Sequence, residues 1–295
     1  MIDELCRLVE QLEEDRLLCE PDQLRRRLDT LDLLDACFPD CQAGSDTEAD
    51  DASASARLCR RVNLLGARME AANESVYEGI RAEIRHGALP ESLMRWERVA
   101  ADEEERSPAG GLGYGFLDEL VSGVFRLTEP AGERVPSGPE MVAYQPTPAR
   151  RIFELIHEAA LAANDVLIDL GSGLGHVPML VSAFTPARSI GIELDASYVE
   201  RATQVAQEMN LSRIEFLRQD VREADLSAGT VFYLYTPFTG SILRSVLDRL
   251  RREALRRSIR ICTYGPITPV FAQELWLEAM STPATHRITH FRSRS

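Results

Sequence analysis

The chain has 295 residues, 44% of them hydrophobic, and a formal net charge of −14. This length suggests about two domains, and no window is long and apolar enough to cross a membrane, which excludes a membrane-spanning class. The first residues are acidic and lack the basic segment of a signal peptide, so we expect a cytoplasmic protein without a membrane partner. Scattered cysteines without a histidine cluster indicate reduced thiols and no metal site.

The negative charge is concentrated in the first 140 residues, which hold 31 acidic and 16 basic side chains against 16 and 17 in the remainder. An acidic surface repels phosphate backbones, so this distribution argues against nucleic acid as a partner. Two interpretations of the acidic half stay open. The charge either keeps the protein in solution or forms a surface for a basic protein partner.

Helical periodicity dominates the first 126 residues, where leucines recur at spacings of three and four. Pro21 suits the first turn of a second helix, whereas residues 39–56 are small, polar and acidic and predict a mobile linker. The glycine-rich residues 110–115 follow no apolar strand and predict a flexible turn. The predicted helices cover residues 1–38 on either side of Pro21, residues 56–86, a short stretch after Pro90, and residues 116–125. We therefore predict an acidic all-α domain at 1–126, which could form a homodimer through its helices.

Proline and glycine are frequent in residues 127–148, which predicts a connecting loop or a lid. A helix is expected over 149–162, directly before an apolar run. Strands and helices then alternate up to residue 295. This alternation predicts an α/β domain at 149–295 with a Rossmann-like, doubly wound, mostly parallel sheet.

A glycine turn follows the first apolar run of this domain. The run Val166–Leu170 carries Asp169 near its end, and Gly171, Gly173 and Gly175 alternate directly after it. Strand–turn–helix junctions of this kind bind nucleotide-like ligands, because glycine lets the backbone turn sharply and approach the ligand. The spacing G-x-G-x-G differs from the G-x-G-x-x-G of dinucleotide-binding proteins.

Three further apolar runs end in polar side chains. Glu193 ends the next run, about 20 residues beyond the glycines, where an acidic residue is expected to hold ribose hydroxyls. Asp220 ends the third run, and Tyr235 and Thr236 end the fourth. In a parallel sheet these ends lie at one edge, outside which ligands bind.

These motifs resemble the class I S-adenosylmethionine-dependent methyltransferases over about residues 141–295. In that family the first motif is Asp-x-Gly-x-Gly-x-Gly, and the next two strands end in acids that hold the ribose and lie near the adenine. The resemblance implies that S-adenosylmethionine is the cofactor. The positions that it assigns to cofactor binding are Asp169, Gly171, Ser172, Gly173, Gly175, Glu193, Asp220 and Val221.

The segment Tyr144-Gln-Pro-Thr-Pro148 is similar to two lysine-directed branches of that family. They are the non-SET histone lysine methyltransferases of the disruptor-of-telomeric-silencing type and the lysine methyltransferases acting on the ATP-synthase c subunit. In such enzymes this segment closes over the methionine end of the cofactor, which implies that Tyr144 and Thr147 contact it. After the fourth strand this chain departs from the pattern, because Thr236-Pro-Phe stands where the relatives tend to have Asn or Asp.

Tyr235 and Thr236 are therefore the candidate catalytic residues, as hydrogen-bond partners of the acceptor. For Tyr235, packing against a helix layer is an equal alternative. His176 is expected to be a residue of the helix start rather than a cofactor contact. His290, on a predicted terminal strand Thr285–Arg292, has no evident partner and is assigned no role.

The leading functional hypothesis is methyl transfer from S-adenosylmethionine to a lysine-type amine of a protein. A small-molecule N- or O-methyltransferase is the alternative enzyme. The non-enzyme alternative is a cofactor-binding scaffold whose helical domain binds a partner.

Overall fold

The computed structural model describes residues 2–42, 54–106, 114–130 and 138–294. The chain forms two compact units, Met1–Ile80 and Arg81–Ser295. Among the described helices, none is both long and apolar enough to cross a membrane. The centre of the linker predicted at 39–56, most of the turn predicted at 110–115 and part of the loop at 127–148 lie outside the described residues.

The helical prediction for the N-terminal region is confirmed. Its elements are α1 (Ile2–Glu14), α2 (Leu24–Cys37), the short α3 (Pro39–Gln42), α4 (Ala54–Arg85), α5 (Glu91–Arg106) and α6 (Phe116–Phe125). Pro21 opens a 3-10 turn that leads into α2. In the first unit, apolar side chains from α1, α2 and α4 meet in one core. They include Val9, Leu18, Leu34, Phe38, Val62, Leu65 and Met69.

A disulfide joins Cys41 of α3 to Cys59 of α4, with Cα atoms 5.1 Å apart. The expectation of reduced thiols is therefore wrong for this pair. In the sequence, Cys41 lies close to Cys37. In the structure, α3 packs beside α4, and this brings Cys59 rather than Cys37 close enough to Cys41 to form the disulfide. In the described part of the chain the other four cysteines are free thiols.

A buried arginine holds the first unit together. The Arg27 side chain is fully buried. Its guanidinium donates to Asn73 Oδ1 at 2.6 Å, to the Leu18 carbonyl at 3.0 Å and to the Glu20 carbonyl at 2.6 Å. These acceptors come from the connection between α1 and α2 and from α4, so one cation replaces the water that they would otherwise bind.

We predict that Arg27→Met lowers the free energy of unfolding by about 3 kcal/mol, because it leaves buried acceptors without a donor. Denaturant unfolding followed by circular dichroism measures the change. Arg25→Met is the matched control, since the side chain of Arg25 is 45% exposed, and it is expected to cost less than about 0.5 kcal/mol. Equal losses for the two variants would contradict the structural role of Arg27.

The second unit is built on a mixed sheet. Its strands are β1 (Val166–Leu170), β2 (Arg188–Glu193), β3 (Ile214–Arg218), β4 (Val231–Tyr235), β5 (Arg260–Tyr264), β6 (Leu277–Ala279) and β7 (Thr289–Ser293). In the described residues their order is β3-β2-β1-β4-β5-β7-β6. The first five strands are parallel, and β7 is antiparallel to both of its neighbours. The predicted Rossmann-like sheet is thus confirmed, and its direction of winding reverses between β1 and β4, where such folds bind ligands.

Helices connect these strands. They are α7 (Ala149–Ala159), α8 (His176–Phe184), α9 (Ala196–Glu208), α10 (Gly240–Ala254) and the short α11 (Thr268–Ala272). The predicted helix at 149–162 ends earlier because Ala160 adopts a left-handed conformation, with φ 43°. The strand β3 ends at Arg218, so Asp220 lies in the following turn rather than at the strand end.

The C-terminal hairpin departs from the sequence prediction. The last strand begins at Thr289 rather than Thr285, and β6 pairs with it. Only Leu277 of β6 is buried, while Glu278 and Ala279 are exposed. A strand this short at the sheet edge carries too little alternation to be recognised from its sequence.

Candidate functional site

An open cleft lies at the carboxyl ends of β1, β2 and β4. Two neighbouring segments form its walls, Met141–Gln145 and Tyr235–Phe238 with Ile242, and they meet where Met141 pairs with Phe238. The floor comes from Gly171, the end of β2 and the turn Gln219–Arg222. Beside it lies a small inner recess lined by Tyr144, Thr147, Asp169, Ser172, His176 and Tyr233. The structure thus brings the polar ends predicted from the sequence to one edge of the sheet.

The glycine turn lies between these walls. Gly171 and Ser172 both donate their backbone N–H to the Ile192 carbonyl, at 2.9 and 3.0 Å. Gly173 has φ 51°, and a Cβ atom there would lie 2.1 Å from the Tyr144 ring. Because side chains rarely adopt such a φ, and the ring occupies the space, only glycine fits at this position.

Glu193 closes the turn from the neighbouring strand. One carboxylate oxygen accepts the Gly173 N–H at 2.9 Å, and the other accepts the N–H groups of Leu194 at 2.6 Å and Asp195 at 2.9 Å. A carboxylate offers about four acceptor positions. Three are occupied, so one remains on the oxygen that faces Gly173.

Asp169 and Ser172 lie deep in the inner recess. Asp169 is 4% exposed, and burial, reinforced by the charge of Glu193, raises the pKa of its carboxyl well above the usual range. Ser172 is 7% exposed, and its hydroxyl has no hydrogen-bond partner among the described residues. A buried hydroxyl without a partner costs free energy, so this position fits a polar ligand group.

Asp220 and Val221 form part of the cleft floor. The Asp220 carboxylate accepts from the Arg222 backbone N–H at 2.8 Å and from its guanidinium at 2.6 to 3.1 Å. These contacts lower the pKa of Asp220. The pair is partly exposed, and exposed ion pairs contribute little free energy. Val221 packs against the apolar core at the edge of the sheet.

Tyr144 and Thr147 tie the segment before α7 to the glycine turn and to β4. The Tyr144 hydroxyl lies 3.3 Å from Nδ1 of His176, and its ring packs on Tyr198 with centroids 4.9 Å apart. The Thr147 hydroxyl is hydrogen-bonded to the Tyr233 hydroxyl at 2.9 Å. Burial raises the pKa of both tyrosines, so these hydroxyls stay protonated at neutral pH.

Tyr235 and Thr236 belong to the neighbouring wall of the cleft. The Tyr235 ring packs on Tyr264 with centroids 4.7 Å apart, and burial raises its pKa. Thr236 has φ 39°, a strained conformation for a β-branched residue, and Pro237 after it disfavours that region further. The Thr236 hydroxyl has no partner among the described residues. Strain of this kind is concentrated at functional sites.

His176 is the residue whose position the sequence did not indicate. It is the first residue of α8, as expected, yet its ring is 9% exposed and lines the inner recess. Burial lowers its pKa to about 4, so the imidazole is neutral at physiological pH. The one available signal was its place directly after the third glycine, because the first turn of such a helix faces the ligand.

A second row of reactive residue types lies away from the cleft. Cys262 Sγ lies 3.3 Å from Nδ1 of His290, and Nε2 of His290 lies 3.0 Å from the Glu158 carboxylate. His290 thus has partners, contrary to expectation. Burial raises the pKa of the Cys262 thiol to about 12, so it stays protonated and inert as a nucleophile. This row is a packing contact between β5, β7 and α7.

Part of this chain is similar to known proteins. Residues 141–233 match the family described as histone methylation protein DOT1. Over 62 residues, 21% of this chain, the sequence is 34% identical to an uncharacterized protein of Methanocaldococcus jannaschii, and the match spans 28% of that relative's length.

Solved structures with a similar fold include methyltransferases. An RNA methyltransferase from Salinibacter ruber, in complex with S-adenosyl-L-homocysteine, is 28% identical with a TM-score of 0.40, over 50% of this chain and 92% of its own. A SAM-dependent O-methyltransferase from Thermotoga maritima is 16% identical with a TM-score of 0.40, over 52% of this chain and 67% of its own.

The DOT1 match begins at the wall formed by Met141–Gln145, includes the glycine turn and the acidic ends on the cleft floor, and reaches into β4. Residues 141–233 of this chain are therefore similar to the DOT1 family, and all of the positions that the sequence assigned to S-adenosylmethionine lie within them.

Proposed function

We propose that this protein is a methyltransferase that transfers a methyl group from S-adenosylmethionine to a lysine-type amine of a protein. The observation that carries the proposal is the segment Tyr144–Pro148, which packs over the glycine turn through Tyr144 and against β4 through Thr147. This segment lies inside the DOT1 match. It is the part of the sequence that resembles lysine-directed enzymes.

The donor set of the cleft suits S-adenosylmethionine. We place the ribose hydroxyls at Glu193, which keeps one acceptor position, and the adenine over the turn of Asp220 and Val221, beside Ile192 and Leu194. We place the methionine end in the inner recess. There Asp169 offers its carboxyl group to the ammonium, whose positive charge favours the ionised form of Asp169 despite its burial, and Ser172 offers the unpartnered hydroxyl. Gly171, Gly173 and Gly175 let the backbone approach the ligand.

Tyr144 and Thr147 complete this placement. Both line the inner recess. The Tyr144 face is suited to a cationic group, since aromatic rings attract sulfonium and ammonium ions. Their hydrogen bonds to His176 and Tyr233 fix both side chains before any ligand arrives.

When bound, S-adenosylmethionine would supply an electrophilic methyl group: the acceptor nitrogen would form the new N–CH3 bond as the S–CH3 bond breaks, and S-adenosylhomocysteine would leave. The chain's own residues have to orient that amine and exclude water. We assign this role to Tyr235, which lines both the cleft and the recess, and to Thr236 beside it in the cleft. Burial of the acceptor ammonium beside Tyr235 lowers its pKa, so that it gives its proton to solvent and becomes the neutral nucleophile.

Incubation of the protein with a cell lysate and S-adenosylmethionine labelled in its methyl group tests the acceptor. We predict label in protein, recovered after hydrolysis as methylated lysine. Label only in small molecules would support the alternative enzyme. Label in RNA would contradict the proposal in the same way.

The variant Tyr235→Phe serves as the internal comparison in this assay. It keeps the ring and removes the hydroxyl, so the rate of label transfer should fall while cofactor affinity stays unchanged. Transfer at the rate of the natural protein would remove the Tyr235 hydroxyl from the mechanism.

We predict that Glu193→Ala raises the dissociation constant for S-adenosylhomocysteine about tenfold or more, which corresponds to about 1.4 kcal/mol or more. The variant removes both the proposed ribose acceptor and the anchor of Gly173. Calorimetric titration measures the change.

The matched control is Glu278→Ala, at an exposed carboxylate of β6 that pairs with Arg292. Its affinity should equal that of the natural protein. An unchanged affinity for Glu193→Ala would place the ribose elsewhere.

A further inference from the structure

Glu140 connects the segment before Tyr144 to the helix after β4. Its carbonyl accepts the Thr239 N–H at 2.7 Å. One carboxylate oxygen accepts the Ser241 N–H at 2.8 Å, and the other accepts the Ser241 hydroxyl at 2.6 Å and the Ile242 N–H at 3.2 Å. The first turn of α10 is thus capped by a residue about 100 positions earlier in the chain.

The backbone at the start of α10 is shaped to admit this carboxylate. Gly240 has φ 58°, and a Cβ atom there would lie 2.1 Å from Oε1 of Glu140. The helix itself offers no side-chain cap, since Thr239 at its N-cap position makes no such hydrogen bond. The free N–H groups at this end therefore depend on Glu140 for part of their hydrogen bonding.

Next to Glu140, two backbone contacts join the segment that begins at Met141 to the residues after β4. The Val142 N–H donates to the Pro237 carbonyl at 3.2 Å, and Met141 forms an isolated antiparallel bridge with Phe238. These residues belong to the two neighbouring walls of the cleft. The cap by Glu140 is thus continuous with the contacts that join these two walls.

We infer that Glu140 is a positioning residue for the cofactor, because its cap on α10 holds the wall from Met141 to Tyr144 in the binding arrangement. The inference rests on the proposed placement of S-adenosylmethionine in the cleft. Without the cap, the wall has to be ordered when the ligand binds, and that cost weakens the apparent affinity. Hydrogen bonds from Ser241 lower the pKa of Glu140, so the cap is charged at neutral pH.

The test compares Glu140→Ala with Glu83→Ala by calorimetric titration with S-adenosylhomocysteine and by thermal unfolding. Glu83 is a matched control, because its carboxylate accepts the N–H of Ser92 at 3.1 Å and the hydroxyl of Ser92 at 2.5 Å, in the first turn of α5. Neither Glu83 nor Ser92 lines the cleft. Both variants lose one helix cap and should lose similar thermal stability.

We expect Glu140→Ala alone to raise the dissociation constant, by about five- to tenfold, the factor typical of a lost capping side chain. The inference would be overturned if Glu140→Ala and Glu83→Ala had the same dissociation constant, whether that constant is unchanged or raised in both. Glu140→Gln, which keeps an acceptor oxygen, should fall between Glu140→Ala and the natural protein, whereas a purely steric role would leave it unchanged.

Ser241→Ala keeps the experiment decisive where Glu140→Ala fails to fold. It removes the hydroxyl contact alone, and its affinity should fall about two- to threefold, as expected for one weak hydrogen bond. Failure of the natural protein to bind S-adenosylhomocysteine would count against the proposed function. Normal binding by every Glu140 and Ser241 variant would count against this inference only.

Discussion

The geometry of the site depends on how the backbone of the glycine turn is held. The turn reverses direction through three left-handed glycines, and its amides are accepted by the Ile192 carbonyl and by the Glu193 carboxylate of the adjacent strand. Both acceptors exist at these positions because β2 lies beside β1 in parallel register. The fold therefore fixes the turn, and the turn fixes where a ligand can approach the backbone.

A set of paired hydroxyls extends this rigidity to the rest of the inner recess. Thr147 is bonded to Tyr233, and Tyr144 lies against His176, so side chains from the segment before α7 are fixed to β4 and to the start of α8. Burial keeps the tyrosines protonated and the histidine neutral. Apart from Asp169, whose pKa is raised by burial, the recess consequently offers hydrogen bonds rather than proton-transfer groups. Such a site suits methyl transfer from a sulfonium, which needs positioning more than acid–base chemistry.

Much of the fold was predictable because it rests on local signals. A continuous apolar run followed by alternating glycines predicted β1 and its turn. Contacts between distant residues were not predictable. The Cys41–Cys59 disulfide and the cap by Glu140 each depend on how separate elements meet.

The directions in which side chains point were also not predictable from the sequence. The sequence placed His176 at a helix start, but only packing of α8 on the sheet turns its ring into the recess. It also placed Asp220 at a strand end, while the strand stops at Arg218 and the Arg222 guanidinium engages the carboxylate. The strained backbone of Thr236 could not be foreseen, since nothing in a Thr-Pro pair demands a positive φ.

Calorimetric titration of Gly173→Ala with S-adenosylhomocysteine tests the location of the cofactor most directly. A Cβ atom at Gly173 would meet the Tyr144 ring at 2.1 Å, whereas one at Gly79 of α4 meets nothing within 4 Å. If the cofactor binds at the glycine turn, the natural protein and Gly79→Ala bind with equal affinity, and Gly173→Ala shows no measurable binding. Equal binding by all three proteins, or by none, would contradict the account.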